Sequence, residues 1–201
     1  MLDRAATSLI SPAIQRLARQ LVRIGLSANQ LTLTGFVTGM LAAALVAVQW
    51  YAPAIVAILA SRLCDALDGA MARETRVTDA GGFLDIALDF IFYAAIPLGF
   101  AIADPARNAL AAATLLAAFV GTMASFLAFA VLAAKRGLNN LAYPDKSFYF
   151  LGGLTEATET LTFFVAMCLW PQHFAWLAYG FSAMCVLTTG TRTWWGWKTF
   201  S

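Results

Sequence analysis

The chain is organised as a series of long apolar stretches separated by short polar connections. Crossing a bilayer takes about 20 mostly apolar residues, and six stretches reach that length. Only helices and closed barrels satisfy their backbone hydrogen bonds in lipid, and these stretches lack the alternation of barrel strands. The pattern therefore predicts an all-α integral membrane protein with six transmembrane helices, at residues 30–50, 53–72, 82–102, 108–134, 147–170 and 174–195.

A segment of a different kind precedes the first stretch. Residues 11–25 begin with Ser-Pro, a pair typical of a helix start, and end at a glycine. Apolar residues recur between them at helical spacing, and arginines fill other faces. A basic amphipathic helix of this length lies on a membrane surface or packs against other protein. We predict a surface helix over 11–25, a capping box at residues 27–30, and a single membrane domain over 1–201 with its bundle at 30–195.

The distribution of lysine and arginine predicts the orientation of the chain. Six spans place both termini on one side, and all but Arg107 of the 13 Lys and Arg residues fall on that side. Short cytoplasmic loops carry the excess of Lys and Arg in membrane proteins. Both termini, the surface helix and the connections near residues 73–81 and 135–146 are therefore predicted to be cytoplasmic.

Composition supports a membrane protein and argues against other classes. Hydrophobic residues make up 61% of the 201 residues and charged residues 12%, against roughly 45–50% and 25% in soluble domains. The net charge of +2 is too small to indicate a nucleic-acid partner. The three cysteines lie far apart inside apolar stretches, without the paired spacing of metal sites, so we interpret them as buried thiols.

Four aspartates lie inside the apolar stretches, where carboxylates are costly. Asp65 and Asp68 lie at the end of the second span, and Asp85 and Asp89 lie at the start of the third. Residues three and four apart share a helix face, and the short link makes the two spans antiparallel neighbours. The four carboxylates are therefore expected to converge in a cavity just inside the cytoplasmic interface.

This cavity is expected to bind metal ions and phosphate. Four negative charges cannot share a low-dielectric cavity without cations, and two divalent ions such as Mg²⁺, which prefer carboxylate oxygens, would balance them. Two-metal sites stabilise the attacking and leaving oxygens of a phosphoryl displacement. Three small residues would let a nucleotide approach the backbone and an arginine would bind its phosphates; these are Gly69, Ala72, Gly81 and Arg73.

The spacing of these residues resembles the signature of the CDP-alcohol phosphotransferase family. The six spans, the cytoplasmic termini and the surface helix are also similar to the family's architecture, so the resemblance covers nearly the whole chain. The signature fixes eight positions over 25 residues, and this chain matches all eight, as Asp65-x2-Asp68-Gly69-x2-Ala72-Arg73-x7-Gly81-x3-Asp85-x3-Asp89.

The resemblance implies a role for each residue. Two ions, Mg²⁺ or Mn²⁺, would be bound by the aspartates, and Asp89 would also act as the general base. Thr78 corresponds to a position near the cytidine. Asn29 and Thr32 resemble a motif at the start of the first span, with Ala28 in place of the usual proline. The implied metal ligands are Asp65, Asp68, Asp85 and Asp89, and the implied nucleotide contacts are Asn29, Thr32, Gly69, Ala72, Arg73, Thr78 and Gly81.

The resemblance also implies a reaction and a place in the cell. The base removes a proton from an acceptor hydroxyl, the oxygen attacks the β-phosphorus of a CDP-alcohol, and CMP leaves. We expect CDP-diacylglycerol as the donor and a role in phospholipid biosynthesis, because such members dominate among small bacterial chains. CDP-choline or CDP-ethanolamine is the alternative donor, and the acceptor stays open. Such enzymes lie in the bacterial inner membrane and are commonly homodimers.

Residues outside the signature are candidates for binding the acceptor. Glu156 and Glu159 lie about 14–18 Å into the predicted fifth span by helical rise, where they could hold a head group or form a structural hydrogen-bonded pair. Arg136 and Lys146 lie in a loop that could bind an acceptor's phosphate, although topology alone would also place cations there.

A divalent-cation transporter is the alternative from another class, because intramembrane carboxylates also mark ion paths. Glu156 and Glu159 give this alternative some support, since they would extend a carboxylate path into the bundle. The aspartates of the signature argue against it, because they cluster at one interface instead of lining a route across the membrane. A transporter would also not require the glycine, alanine and arginine at the spacing observed.

Overall fold

The structure is a computed structural model that describes residues 2–137 and 155–201, with side chains from residue 12 onward. All regular structure in these two ranges is helical. The helices follow one another along the chain without a sheet between them. They are α1 (Leu2–Arg23), α2 (Ala28–Ala47), α3 (Tyr51–Glu74), α4 (Asp79–Ala103), α5 (Pro105–Lys135), α6 (Ala157–Leu169), a 3-10 turn (Pro171–His173) and α7 (Phe174–Phe200).

Several of these helices have the length and composition of membrane spans. Within the described part of the chain, α2, α4 and α5 each meet this criterion alone, and α6 and α7 meet it together as a pair bent by 113°. With 24 residues, α3 is long enough to cross a bilayer at about 1.5 Å per residue. Its second half carries too many charged residues for the composition of a typical membrane span. The molecule is thus an all-α membrane protein, in agreement with the predicted fold class.

Glycines bring α2 close to α3 and α4. A Cβ atom on Gly99 would lie 2.7 Å from the carbonyl oxygen of Ala43, and one on Gly35 would lie 2.9 Å from the Cβ of Cys64. Small residues at such contacts let helix backbones approach closely in membrane proteins. The close packing of α2 fixes the relative positions of the two helices that carry the four aspartates.

Aromatic side chains fill the core between α4, α5, α6 and α7. Phe100 stacks on Phe174 with ring centroids 4.4 Å apart, and Phe163 stacks on Phe181 at the same distance. Stacked and edge-to-face phenylalanines add to the stabilisation that area burial gives. The interpretation of the cysteines as buried thiols is confirmed for Cys168 and Cys185, whereas Cys64 is only partly buried.

The first helix begins earlier than the sequence pattern predicts. We expect it to start at Ser11, but α1 runs from Leu2 through Pro12 to Arg23. The leucine and alanine residues before Ser11 favour a helix, and a proline removes one donor without preventing the turns on either side. From residue 12 onward, the apolar face of α1 packs on the ends of α2 and α3, with Ile14, Ala18 and Leu21 against Leu67 and Met71.

The helix predicted over 147–170 begins later than expected. Residues 147–154 of that stretch lie outside the described residues, and α6 starts only at Ala157. Glu156 is its N-cap, and Glu159 completes a capping box by accepting a hydrogen bond from the backbone N–H of Glu156 at 3.3 Å. The two glutamates therefore lie at the start of a helix and not two or three turns inside one. The capping box satisfies backbone N–H groups that have no partner at the start of a helix. Apolar composition alone does not show where such a start lies.

Candidate active site between α3 and α4

Three of the four aspartates meet at the centre of the site. Asp65 and Asp68 lie one turn apart on α3, and Asp85 lies in the second turn of α4. One carboxylate oxygen from each of them lies within 4.8 Å of the other two. Oxygens bound to one divalent ion at 2.1–2.4 Å can lie at most about 4.2–4.8 Å apart. The three carboxylates are thus spaced as ligands of one cation would be.

The burial of Asp68 also fits a bound cation. Asp68 is only 5% exposed, and its Oδ2 atom is buried without a hydrogen-bond partner among the described residues. A buried carboxylate oxygen without a partner costs several kcal/mol unless a cation or donor reaches it. Hard divalent cations prefer such oxygen ligands, so the residues present suit Mg²⁺ or Mn²⁺.

Asp89, one turn further along α4, has a different partner. Its Oδ1 atom accepts a hydrogen bond from Arg62 Nη1 at 2.7 Å. The same Arg62 nitrogen lies 3.6 Å from Oδ2 of Asp65. Asp89 therefore lies beside the group of three carboxylates and is tied to α3 by an ion pair.

The ends of the helices create the entrance to the site. α3 ends at Glu74, and α4 begins after Thr78, whose side chain accepts a hydrogen bond from the backbone N–H of Gly81 at 3.1 Å. The predicted capping box at the start of α2 is confirmed, because Ser27 and Gln30 each accept a backbone N–H of the other. These caps fix the starts of α2 and α4, which lie with the end of α3 around one opening.

A cavity of about 410 Å³ lies in this opening and reaches the carboxylates. Gly81 leaves room in it, because a Cβ atom there would lie 3.2 Å from Oδ1 of Asn29 and 3.1 Å from Oγ1 of Thr78. Arg73 and Arg76 are the basic residues of its wall. The structure places all seven predicted nucleotide contacts in the wall, together with three of the aspartates: Asn29, Thr32, Gly69, Ala72, Arg73, Thr78, Gly81, Asp68, Asp85 and Asp89.

A second cavity, of about 200 Å³, adjoins the first. Phe90 and Phe126 line both cavities, which are therefore neighbours. Glu156 and Arg192 supply the charged groups of the second cavity, and threonine, methionine and aromatic side chains form the rest of its wall. Arg192 is buried and donates a hydrogen bond to the backbone oxygen of Thr122 at 3.3 Å.

The other predicted acceptor residues lie elsewhere. Glu159 caps α6 and is not part of the wall of the second cavity. Arg136 donates hydrogen bonds to the backbone oxygens of Thr199 and Phe200, at 3.3 and 2.6 Å, near the C-terminus. Lys146 lies outside the described residues. Of the three predicted acceptor residues that the structure describes, only Glu156 thus lines the cavity next to the aspartates.

Sequence reasoning missed Arg62 and Arg192. Both were counted only as cations on the cytoplasmic side of the membrane, although each lies inside an apolar stretch. A charged side chain within a span is costly and calls for a partner, which is a signal that the sequence does contain. What the sequence could not supply is the partner itself, since Asp89 is 27 residues away from Arg62.

The fold and the site together define a family. Residues 26–195 match the CDP-alcohol phosphatidyltransferase family, which covers the helical bundle and both halves of the aspartate signature. The chain belongs to this family. It is therefore a transferase of phospholipid biosynthesis that acts on a CDP-alcohol, as the signature predicts.

Known proteins resemble the chain over almost its whole length. The "Inner membrane protein YnjF" of Escherichia coli K12 is 54% identical to it, over 99% of this chain and 97% of that protein. The "Archaetidylinositol phosphate synthase" of Pyrococcus horikoshii is 28% identical, over 85% of this chain and 91% of that protein. The similarity to a named inner membrane protein agrees with the spanning helices found here.

Solved structures share the fold. A phosphatidylinositol phosphate synthase of Mycobacterium tuberculosis with CDP-DAG bound has a TM-score of 0.69 and 24% identity, covering 92% of this chain and 93% of that one. The same enzyme in complex with manganese and citrate has a TM-score of 0.68 and 24% identity, covering 92% and 88%. The overall helical fold is thus one that is known from crystal structures.

Proposed function

We propose that this protein transfers a phosphatidyl group from CDP-diacylglycerol to the hydroxyl of an acceptor alcohol and releases CMP. The observation that carries the proposal is the cavity of about 410 Å³, which joins all seven predicted nucleotide contacts to the aspartates. The cavity lies where α3 ends and α4 begins, so a lipid donor would reach it with its acyl chains still in the bilayer. The relative of known structure that holds CDP-DAG supports this choice of donor.

The metal site of the proposed enzyme consists of the aspartates of α3 and α4. Asp65, Asp68 and Asp85 would hold a divalent ion, Mg²⁺ or Mn²⁺, and Asp89 would complete the site for a second one. When bound, the ions supply positive charge to the phosphate oxygens and to the leaving CMP. The orphaned Oδ2 of Asp68 supports this assignment, as does the manganese complex of the relative from Mycobacterium tuberculosis.

The remaining residues bind the donor and move one proton. Arg73 lines the cavity and would bind the pyrophosphate, while the absence of bulk at Gly69 and Gly81 lets the nucleotide approach the backbone. Asp89 accepts the proton of the acceptor hydroxyl. The acceptor oxygen then forms a bond to the β-phosphorus of the donor as the bond to the oxygen of CMP breaks, and CMP leaves with both electrons of that bond.

The second cavity is the proposed acceptor site. It adjoins the donor cavity through Phe90 and Phe126, and its volume of about 200 Å³ suits a small alcohol. The polar side chains facing it include Glu156, Thr160 and Arg192, which could bind several hydroxyl groups. The acceptor itself stays open, and Arg136 does not line this cavity.

We further propose six spans with both termini and the site on the cytoplasmic side of the bacterial inner membrane. In this arrangement α1 lies on the cytoplasmic surface and its arginines face the lipid head groups. The excess of Lys and Arg on one side supports the orientation, and the E. coli relative supports the membrane. The family resemblance further suggests that two copies form a homodimer and that residues 1–201 act as one domain.

The first test measures CMP release by the purified protein in detergent with Mg²⁺ or Mn²⁺. CDP-diacylglycerol and CDP-choline are offered separately, each with a mixed pool of alcohols. We expect CMP from CDP-diacylglycerol only, and its loss when Asp68 is replaced by Asn. Asp79→Asn is the matched control, because Asp79 is exposed in the first turn of α4 and does not line the cavity.

Other outcomes would redirect the proposal. CMP release from CDP-choline alone would replace the donor with the alternative class. Metal-dependent CDP binding without any CMP release would keep the nucleotide site but reject the acceptors offered. Absence of CDP binding would contradict the proposed function, and uptake of Mn²⁺ into proteoliposomes would then favour a transporter.

A further inference from the structure

Arg62 is the cation nearest to the four aspartates, and the mechanism above gives it no role. It lies on α3 one turn before Asp65, with a side chain only 13% exposed. Its Nη1 atom is 2.7 Å from Oδ1 of Asp89 and 3.6 Å from Oδ2 of Asp65. The guanidinium thus bridges the metal-binding group of carboxylates and the proposed base.

Two further contacts fix the orientation of this guanidinium. Its plane lies over the ring of Phe92, with 4.2 Å from Cζ to the ring centroid. Its Nη2 atom donates a hydrogen bond to Oγ of Ser61 at 3.3 Å, and Ser61 in turn donates to the backbone oxygen of Gly35 on α2 at 2.7 Å. A stacked, multiply bonded arginine is a rigid donor, so it imposes its own position on the carboxylate that it binds.

The position of Asp89 matters because a carboxylate close to a divalent ion is attracted to it. Carboxylates bind such ions through one oxygen or both, and the three ligand oxygens next to Asp89 already lie within 4.8 Å of one another. A freely rotating Asp89 could turn both oxygens towards a bound ion. The hydrogen bond that Arg62 donates to Oδ1 restricts this rotation.

We propose that Arg62 is a positioning residue that holds Asp89 by one oxygen and keeps the other oxygen aimed at the acceptor hydroxyl. This inference rests on the proposed function of Asp89 as the base. It distinguishes Asp89 from the other three aspartates, because Asp89 is the carboxylate that Arg62 binds at 2.7 Å. Because Arg62 holds Asp89 in place before the substrate binds, no free energy of reorganisation is needed during the reaction.

The test compares steady-state kinetics of Arg62→Met with those of the wild type, using whichever CDP-alcohol the wild type accepts. We expect kcat to fall about 100-fold, as misplacement of a reacting group by 1 Å does, and KM for the donor to change less than about threefold. The Mn²⁺ concentration for half-maximal activity should stay the same or fall, because Asp89 is released towards the ion. The number of metal-dependent CDP-binding sites per protein should be unchanged.

Two more variants keep the test decisive. Arg62→Lys retains the charge but loses the planar guanidinium and its contact with Phe92, so its kcat should lie about tenfold below that of the wild type. This variant replaces Arg62→Met in the test if Arg62→Met does not accumulate. Arg19→Met is the control, because Arg19 forms an exposed ion pair with Glu74 at 3.2 Å outside the cavity, and its kcat should match the wild type.

The results that would overturn the inference are distinct from a failure of the proposed function. An Arg62→Met enzyme with kcat near that of the wild type would reject the positioning role, as would a loss of kcat matched by an equal loss of CDP-binding sites. Wild-type protein that neither binds CDP nor releases CMP would instead reject the proposed function.

Discussion

Asp65, Asp68, Asp85 and Asp89 show how one type of side chain acquires different chemistry from its surroundings. The first three present oxygens within 4.8 Å of one another, whereas Asp89 is bound by an arginine. The carboxylate with an orphaned buried oxygen is suited to a metal ion, and the carboxylate held by a rigid donor is suited to proton transfer. The partner of each residue, more than its spacing, thus distinguishes Asp89 from the other three aspartates.

Replacement of Asp89 by Asn tests this separation. The amide can still accept the hydrogen bond from Arg62, but it cannot take up the acceptor's proton. We expect CMP release to fall about 10²–10⁴-fold, the usual contribution of a general base, while metal-dependent CDP binding largely persists. Isothermal titration with CDP and an assay of CMP release measure the two effects. Full activity of the variant would remove Asp89 as the base.

The sequence predicted the meeting of Asp65, Asp68 and Asp85, because helical spacing and a short link leave few other arrangements. The residues predicted to contact the nucleotide all line one cavity, and their binding of a nucleotide stays a prediction. The partner of Asp89 was not predictable in this way. Which face of α3 turns towards α4 depends on side-chain packing against α2, and a single sequence does not encode that rotation in any local pattern.

At the scale of helices, close packing of α2 against α4 depends on the absence of a side chain. A Cβ atom on Gly99 would meet the carbonyl oxygen of Ala43 at 2.7 Å and Val46 at 3.2 Å. A backbone oxygen cannot move aside as the end of a flexible side chain can. The position of α4, and with it the position of Asp85 and Asp89, therefore depends on this contact.

Gly99→Ala should destabilise the protein by about 1–3 kcal/mol, as overpacking does, and should lower the Tm in detergent. Gly180→Ala is the matched control, because Gly180 is also inside a helix and a Cβ atom there would meet nothing within 4 Å. Alanine in that open position should be neutral or stabilise by about 0.5–1 kcal/mol. Thermal melting followed by size-exclusion chromatography compares the two, and equal Tm values would contradict the packing argument.

Element boundaries were predicted less well than element identity. Apolar stretches located α2 to α5 and α7 to within a few residues, since lipid demands long apolar helices. The start of α6 was misplaced because Glu156 acts as a cap there, and the same glutamate could also have been a buried residue within a helix. A polar residue in an apolar stretch can cap a helix or lie buried within one, and the backbone hydrogen bonds distinguish the two cases.

At the scale of the whole molecule, the distribution of Lys and Arg along the chain predicts how it is oriented in the membrane. Arg107 follows the N-cap of α5 on the side opposite to the predicted cytoplasmic loops, and both Arg107 and the C-terminal Ser201 are exposed. Arg107→Cys should react with a membrane-impermeant maleimide in intact cells, whereas Ser201→Cys should react only after the inner membrane is opened. Labelling of Ser201→Cys in intact cells would contradict the proposed orientation, and the wild type reports the background from its own cysteines.

The charged residues of α3 also affect how the chain enters the membrane. Arg62, Asp65 and Asp68 leave the ribosome before α4 has been made, and the partner of Arg62 belongs to α4. A single charged side chain costs about 2.5–3.5 kcal/mol at the centre of an inserting helix, so α3 alone gains little by partitioning into lipid. We infer that α3 and α4 insert together as a hairpin, in which Arg62 and Asp89 pair as the two helices enter the membrane.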